Sequence, residues 1–346
     1  MRKNLKTGLH GSIHLICAFS VAFILPLNAT AQEIRIAMVS HAPENDPWWN
    51  VVRNAVRDAD RDFNVRTDYL STPQGGAPGM KALLEKLSGY DGVISSVPDL
   101  PILQAPLQNI SGRRIPLITF NSGTESDSAS VGAFTHIGMD DYRAGQEAGK
   151  RAKSAGVRSF ICISHLPPKT PALQRCKGFG EMIGQPGNME VLQVGEDSGQ
   201  ARLAIARWFK EHRLPGAVLT LGPLSTEPTI SALEQLSLAG KIYFGAFDLS
   251  QATLKAIRNK TVQFAVDQQP YLQGYLSVAT MAIRLRENTL SILRIRELVN
   301  QNPGFEERMA KYGLQPSYTM KKISSGPAFI TMENIGLVEK YAGSYR

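Results

Sequence analysis

Twice in succession this chain alternates short apolar runs with helical patterns, and that doubled rhythm excludes most of the folds open to it. Residues 34–39, 65–70, 92–95 and 116–120 read as strands, separated by helical patterns at 47–63, 80–87 and 100–110. Asp46 suits an N-cap, and Pro47 suits the first helical turn. A second series sets strands at 159–163, 189–194, 217–221, 242–247 and 262–266 between helices at 142–155, 173–183, 199–211, 226–238, 250–258 and 272–287. Strands this short, alternating with helices, predict parallel sheets covered on both faces. Two such series predict two similar α/β lobes, and ligands of such sheets bind beyond the carboxyl ends of the strands.

Residues 2–31 have the makeup of a secretion signal. Arg2, Lys3 and Lys6 give the positive start, residues 13–27 are nearly all apolar apart from His14, and Ala29-Thr30-Ala31 offers the small-x-small cleavage pattern. The apolar run is shorter than the roughly 20 residues that span a bilayer, so cleavage is expected rather than a membrane anchor. Cys17 follows Ile16, not the small residue that a lipoprotein signal requires. A protein free in the periplasm is therefore expected. About 315 residues would remain, more than one hydrophobic core usually serves.

Without the three basic residues of the signal the formal charge falls from +8 to +5, and the other basic residues are scattered. No nucleic-acid partner is expected. Export to an oxidising compartment favours a Cys162–Cys176 disulfide, against two buried inert thiols. The histidines follow no metal-ligand spacing, and neither a metal nor a cofactor is expected.

The residues just after the strands carry a resemblance. Asp46-Pro47-Trp48-Trp49 follows the first strand and Phe120-Asn121-Ser122-Gly123 the fourth. His136-Ile137-Gly138-Met139-Asp140 leads into Ala144-Gly145, and Gln174-Arg175-Cys176-Lys177-Gly178-Phe179 comes later. Ala246-Phe247-Asp248-Leu249-Ser250, the run from Asp267 to Tyr275, and Ser325-Gly326-Pro327 with Glu333-Asn334 complete the set. Each motif is weak alone, but their order over nearly the whole mature chain resembles the type I periplasmic binding proteins of sugar ABC transporters, the ribose-binding group. The resemblance implies two hinge-linked Rossmann-like lobes with parallel sheets and a ligand cleft between them. It puts the crossings near 137–140, 267–269 and 318–325. The first lobe would hold 33–137 with about 268–317, and the second about 140–266 with 318–346.

Several strand-end residues are candidates for the ligand site. Trp48 and Trp49 could stack on the C–H face of a sugar, with one packed into the core and the other partly exposed as the bland alternative. His41 could donate to a hydroxyl or be a solvated bystander. Asn121 offers both donor and acceptor, or simply forms the turn before Gly123. The fork of Arg175 suits adjacent hydroxyls or a carboxylate, with a surface helix arginine as the bland alternative. A Cys162–Cys176 bridge would tether that helix start to the preceding strand. Asp248 could accept two hydroxyl hydrogen bonds or cap the next helix, and as a buried carboxylate it would need Arg175 or ligand donors nearby. Gln268 lies at a crossing, where one side chain reaches ligand and hinge together. His165 and Asp267 are further possibilities. Where many relatives carry Asn or Asp, this chain reads Gly222-Pro223-Leu224, which removes the usual side-chain contact.

A monomeric receptor that closes on a sugar or polyol and delivers it to ABC permease subunits follows from this reading. A periplasmic sensing subunit for a membrane histidine kinase or chemoreceptor is the alternative. An enzyme is not expected: a glycosidase would need paired carboxylates flanking one bond, and no G-x-S-x-G motif occurs. A cytoplasmic repressor is not expected either, because the signal precedes Ile34 and no DNA-binding headpiece does.

Overall fold

The strands of the first sheet, β1 (Arg35–Pro43), β2 (Arg66–Thr72), β3 (Gly92–Ser95), β4 (Leu117–Phe120) and β5 (His136–Gly138), run parallel in the order β2-β1-β3-β4-β5. Helices α1 (Asn50–Phe63), α2 (Gly76–Lys86), α3 (Leu100–Gly112) and α4 (Glu125–Ser130) connect them. Residues 36–40 of β1 are buried without interruption, as strands with both faces covered must be. This computed structural model describes Gly8 and residues 33–165, 171–187, 189–318 and 322–346. Apart from Gly8, the expected secretion signal lies outside the described residues.

The second sheet repeats the first. Strands β6 (Phe160–Ser164), β7 (Val191–Gln193), β8 (Ala217–Thr220), β9 (Tyr243–Phe247) and β10 (Phe264–Asp267) take the order β7-β6-β8-β9-β10. Helices α5 (Asp141–Ser154), α6 (Gln174–Met182), α7 (Ser198–Glu211), α8 (Pro223–Gln235) and α9 (Gln251–Arg258) complete that lobe. Each sheet thus has its strand-order reversal at equivalent places, between β1 and β3 and between β6 and β8, where doubly wound sheets open a crevice. The backbones of α5 and α6 touch. A methyl group on Gly145 would stand 2.1 Å from the Arg175 carbonyl oxygen, and one on Gly178 would stand 2.2 Å from that of Tyr142. Only glycine allows this approach, and it seats the start of α6 against the start of α5. The Cys162–Cys176 disulfide ties the same helix to β6, with a Cα–Cα distance of 6.1 Å. Closing a loop of this size restricts the unfolded chain by an amount worth about 3 kcal/mol.

The long helix α10 (Pro270–Glu287) returns to the first lobe and is buried along most of its length. It packs on α1, where the Tyr271 hydroxyl donates to Asp58 at 2.7 Å and that of Tyr275 to Asp62 at 2.6 Å. Helices α11 (Ile292–Asn300) and α12 (Pro303–Tyr312) follow, and Arg308 of α12 pairs with both aspartates. Two short strands, β11 (Ser317–Tyr318) and β12 (Ile323–Ser324), then extend the first sheet, with β12 parallel to β5. Finally β13 (Ala328–Ile330) joins the second sheet antiparallel to β10.

The chain therefore passes between the lobes at 139–140, at 268–269 and at 325–327. The third crossing comes later than the sequence places it, because β11 and β12 belong to the first sheet and not to a tail assigned whole to the second lobe. The residues beyond β13 are divided as well. Ile335 and Val338 enter the second lobe's core, whereas Tyr341 and Tyr345 pack on the first lobe's. Arg346 donates to the Tyr312 and Gly313 carbonyls and pairs with Asp267 at 2.9 Å, so this segment grips the middle crossing.

Candidate functional site

On the first lobe, the site is built where β1 and β3 end. His41 receives its position from Ser96, whose hydroxyl accepts the His41 backbone N–H at 3.1 Å and meets ring Nδ1 at 2.9 Å. Burial holds the imidazole near a pKa of about 4, so the ring is neutral in ordinary buffers. Asp46 accepts the backbone N–H of Trp48 at 2.9 Å and starts the single 3-10 turn, 47–49, that precedes α1. Within that turn the two tryptophans part. Trp49 is only 5% exposed, edge-on to His41, Trp48 and Phe120, and is a core residue and not a stacking platform. Trp48 is half-buried.

Asn121 follows β4 with φ 58°, and Asp248 follows β9 with φ 69°. Both occupy the left-handed region that Asn and Asp tolerate better than most residues, and such strained strand ends cluster at functional sites. The middle crossing links them. Asn121 Nδ2 donates to Gln273 Oε1 at 2.8 Å, Gln273 Nε2 to the Gln268 carbonyl at 3.2 Å, and Gln268 Nε2 to Asp248 Oδ1 at 2.6 Å. A continuous hydrogen-bonded path thus runs from the end of β4 through the middle crossing to the end of β9.

The second wall carries charge. Arg175 is 5% exposed, which rules out the surface-arginine alternative. Its Nε donates to Asp141 at 2.8 Å, one terminal nitrogen donates to the Leu221 carbonyl at 2.9 Å, and its guanidinium lies 4.5 Å from the Phe247 ring centre. Burial pushes the Asp248 carboxyl up to about 6 against the pull of Arg175. His165 lies close by, its pKa lowered to about 4 by burial and then by Arg175. Gly222 separates His165 from Asp248: a methyl group there would stand 2.7 Å from His165 Cε1 and 3.5 Å from Asp248 Oδ2. The gap in the Gly222-Pro223-Leu224 loop is therefore filled by an imidazole.

Of the sequence candidates, His41, Asn121, His165 and Asp248 lie at or just past strand ends, Gln268 on the middle crossing, Trp48 in the 3-10 turn after β1 and Arg175 in the first turn of α6. Trp49 shares the turn of Trp48 but is packed into the core. Asp267 ends β10 at that crossing, but it is 1% exposed and committed to Arg346 and to the backbone N–H of Gln269, at 2.6 Å. Its place is in the hinge. The candidate set also lacked Asp141, Ser96 and Gln273. Ser96 was visible in principle as the residue directly after a strand, and Asp141 as the acid beside Asp140 at the first crossing. Nothing in sequence marks Phe247 as the ring beneath a guanidinium.

Among the described residues, no helix is long and apolar enough to cross a membrane, and no His, Cys, Asp and Glu cluster could hold a metal ion. Comparison with known proteins bears on the same architecture. The xylose/arabinose-binding protein XylF of Sulfolobus acidocaldarius is 25% identical over 275 residues, which cover 74% of this chain and 67% of XylF. Among solved structures, a carbohydrate transporter from Acidothermus cellulolyticus 11B in complex with myo-inositol has a TM-score of 0.73 at 24% identity, covering 91% of this chain and 100% of that one. An ABC transporter solute-binding protein from Burkholderia graminis in complex with D-arabinose has a TM-score of 0.70 at 16% identity, covering 88% and 97%. At such identities the two structures speak for the fold. Residues 36–289 match the family model described as a periplasmic binding protein domain, and with two such lobes about one cleft the chain belongs to that family of non-enzymatic solute-binding proteins.

Proposed function

We propose that the protein captures a sugar or polyol between its lobes in the periplasm and hands it to an ABC transporter in the membrane. The observation that carries this reading is the pairing of Asn121 and Asp248 at opposed strand ends, joined through Gln273 and Gln268 of the middle crossing. A ligand bonding to both walls would stabilise the shut arrangement over the open one, which is all that a closure mechanism needs. The chemistry of the walls suits hydroxyls. Neutral imidazole and amide groups offer donors and acceptors together, Asp248 accepts under the electrostatic pull of Arg175, and Trp48 supplies an aromatic face. The sugars and polyols named for its relatives, xylose, arabinose and myo-inositol, define the class to try first.

Thermal denaturation in the presence of myo-inositol, D-xylose, L-arabinose and D-arabinose tests the proposal. A true ligand at 100 times its dissociation constant adds about 2.7 kcal/mol of stability and raises the midpoint accordingly. A panel of sugars, polyols and sugar acids that leaves the midpoint unmoved would refute it.

A further inference from the structure

The two histidines at the strand-order reversals occupy equivalent places in the two lobes, His41 beside Ser96 and His165 beside Gly222. In the first lobe the serine hydroxyl meets Nδ1 of the ring. In the second, Nδ1 of His165 is enclosed without a hydrogen-bond partner among the described residues. His165 as a whole is half-buried and directly follows β6, at the carboxyl end of the strand, where ligands of such sheets lie. An imidazole held neutral, with a partnerless nitrogen beside Asp248, is an unmet hydrogen-bonding capacity within the site itself.

We propose that His165 is a specificity-determining residue: it occupies the space that a side chain at position 222 would fill and binds a ligand hydroxyl in its stead. Gly222 is then a requirement and not a loss, because any Cβ there would collide with the ring. The consequence is a reach from β6 across to the neighbourhood of Asp248, so that one ligand hydroxyl meets both groups. This inference rests on the sugar-binding reading and adds to it the group that selects hydroxyl placement on this side.

The test is calorimetric titration of myo-inositol, D-xylose, L-arabinose and D-arabinose into the wild-type chain and four variants: His165→Phe, His165→Ala, Gly222→Ala and the His165→Ala, Gly222→Ala pair. His165→Phe keeps the bulk of the ring and removes its nitrogens, and is expected to weaken the ligand that binds wild type by about tenfold, the scale of one hydrogen bond. Gly222→Ala is expected to weaken it as well by displacing the ring, yet to have no further effect once His165 is alanine, which is the non-additivity expected of two residues sharing one space. Thermal midpoints near wild type exclude misfolding as the cause. Unchanged affinity in His165→Phe, or a Gly222→Ala effect that persists in the double variant, overturns the inference while leaving the sugar reading intact. Failure of the wild-type chain to bind any of the panel overturns both.

Discussion

The first lobe's cleft wall and the second lobe's share a strand order and differ in chemistry. The first presents a neutral imidazole, a half-buried indole and an amide, and its histidine is already bonded to Ser96. The second presents a buried guanidinium, a carboxyl with a raised pKa and an imidazole whose Nδ1 has no hydrogen-bond partner among the described residues. The first holds its imidazole by a serine; the second holds charge and an imidazole nitrogen without a partner among the described residues. The difference suggests a division of labour, in which the first lobe offers a preformed platform and the second gains most from closure.

The largest expected effect comes from removing the charge that organises the second wall. Arg175→Ala should abolish sugar binding and also lower stability by on the order of 3 kcal/mol, because Asp141 and the Leu221 carbonyl lose their buried donor. Denaturant unfolding of the empty protein checks the second part. A variant as stable as wild type would mean that the arginine is not the keystone of its wall.

A smaller effect, confined to one wall, follows from Asp248. Its carboxyl keeps a proton up to about pH 6 in the empty folded protein, whereas an unfolded aspartate releases it near pH 4. The folded state thus holds more protons between those values, and this group's contribution to stability falls as pH rises through that window. Ligand hydroxyls prefer the ionised form, so affinity should rise by up to about tenfold from pH 5 to pH 7 and then level off. Asp248→Asn should flatten the profile. The histidines do not compete, since His41 and His165 are both lowered to about 4. A pH dependence that survives in Asp248→Asn would assign the titration elsewhere.

Much of the fold was legible because parallel strands buried on both faces leave short apolar runs, and helical patterns between them cannot be confused with turns. Strands β11 and β12 were not, since two residues carry no periodicity, and the third crossing was misplaced with them. Helices α11 and α12 follow the long α10 helix in a stretch with no strand to bracket it. At the site, the strand-end rule located Asn121, Asp248 and His165 directly after β4, β9 and β6, because position alone decides that. It failed to separate Trp48 from Trp49, adjacent residues whose roles depend on how a single 3-10 turn rotates them. It also took Asp267 for a possible ligand contact because nothing local reveals Arg346, seventy-nine residues further on, as its partner.

Small-angle scattering of the protein, with and without a saturating amount of whichever sugar or polyol binds, tests most directly whether the two walls close on their guest. A smaller radius of gyration with ligand, and ligand recovered chemically unchanged, is the expected result. Tight binding with no contraction, or conversion of the ligand to a product, would contradict capture by lobe closure.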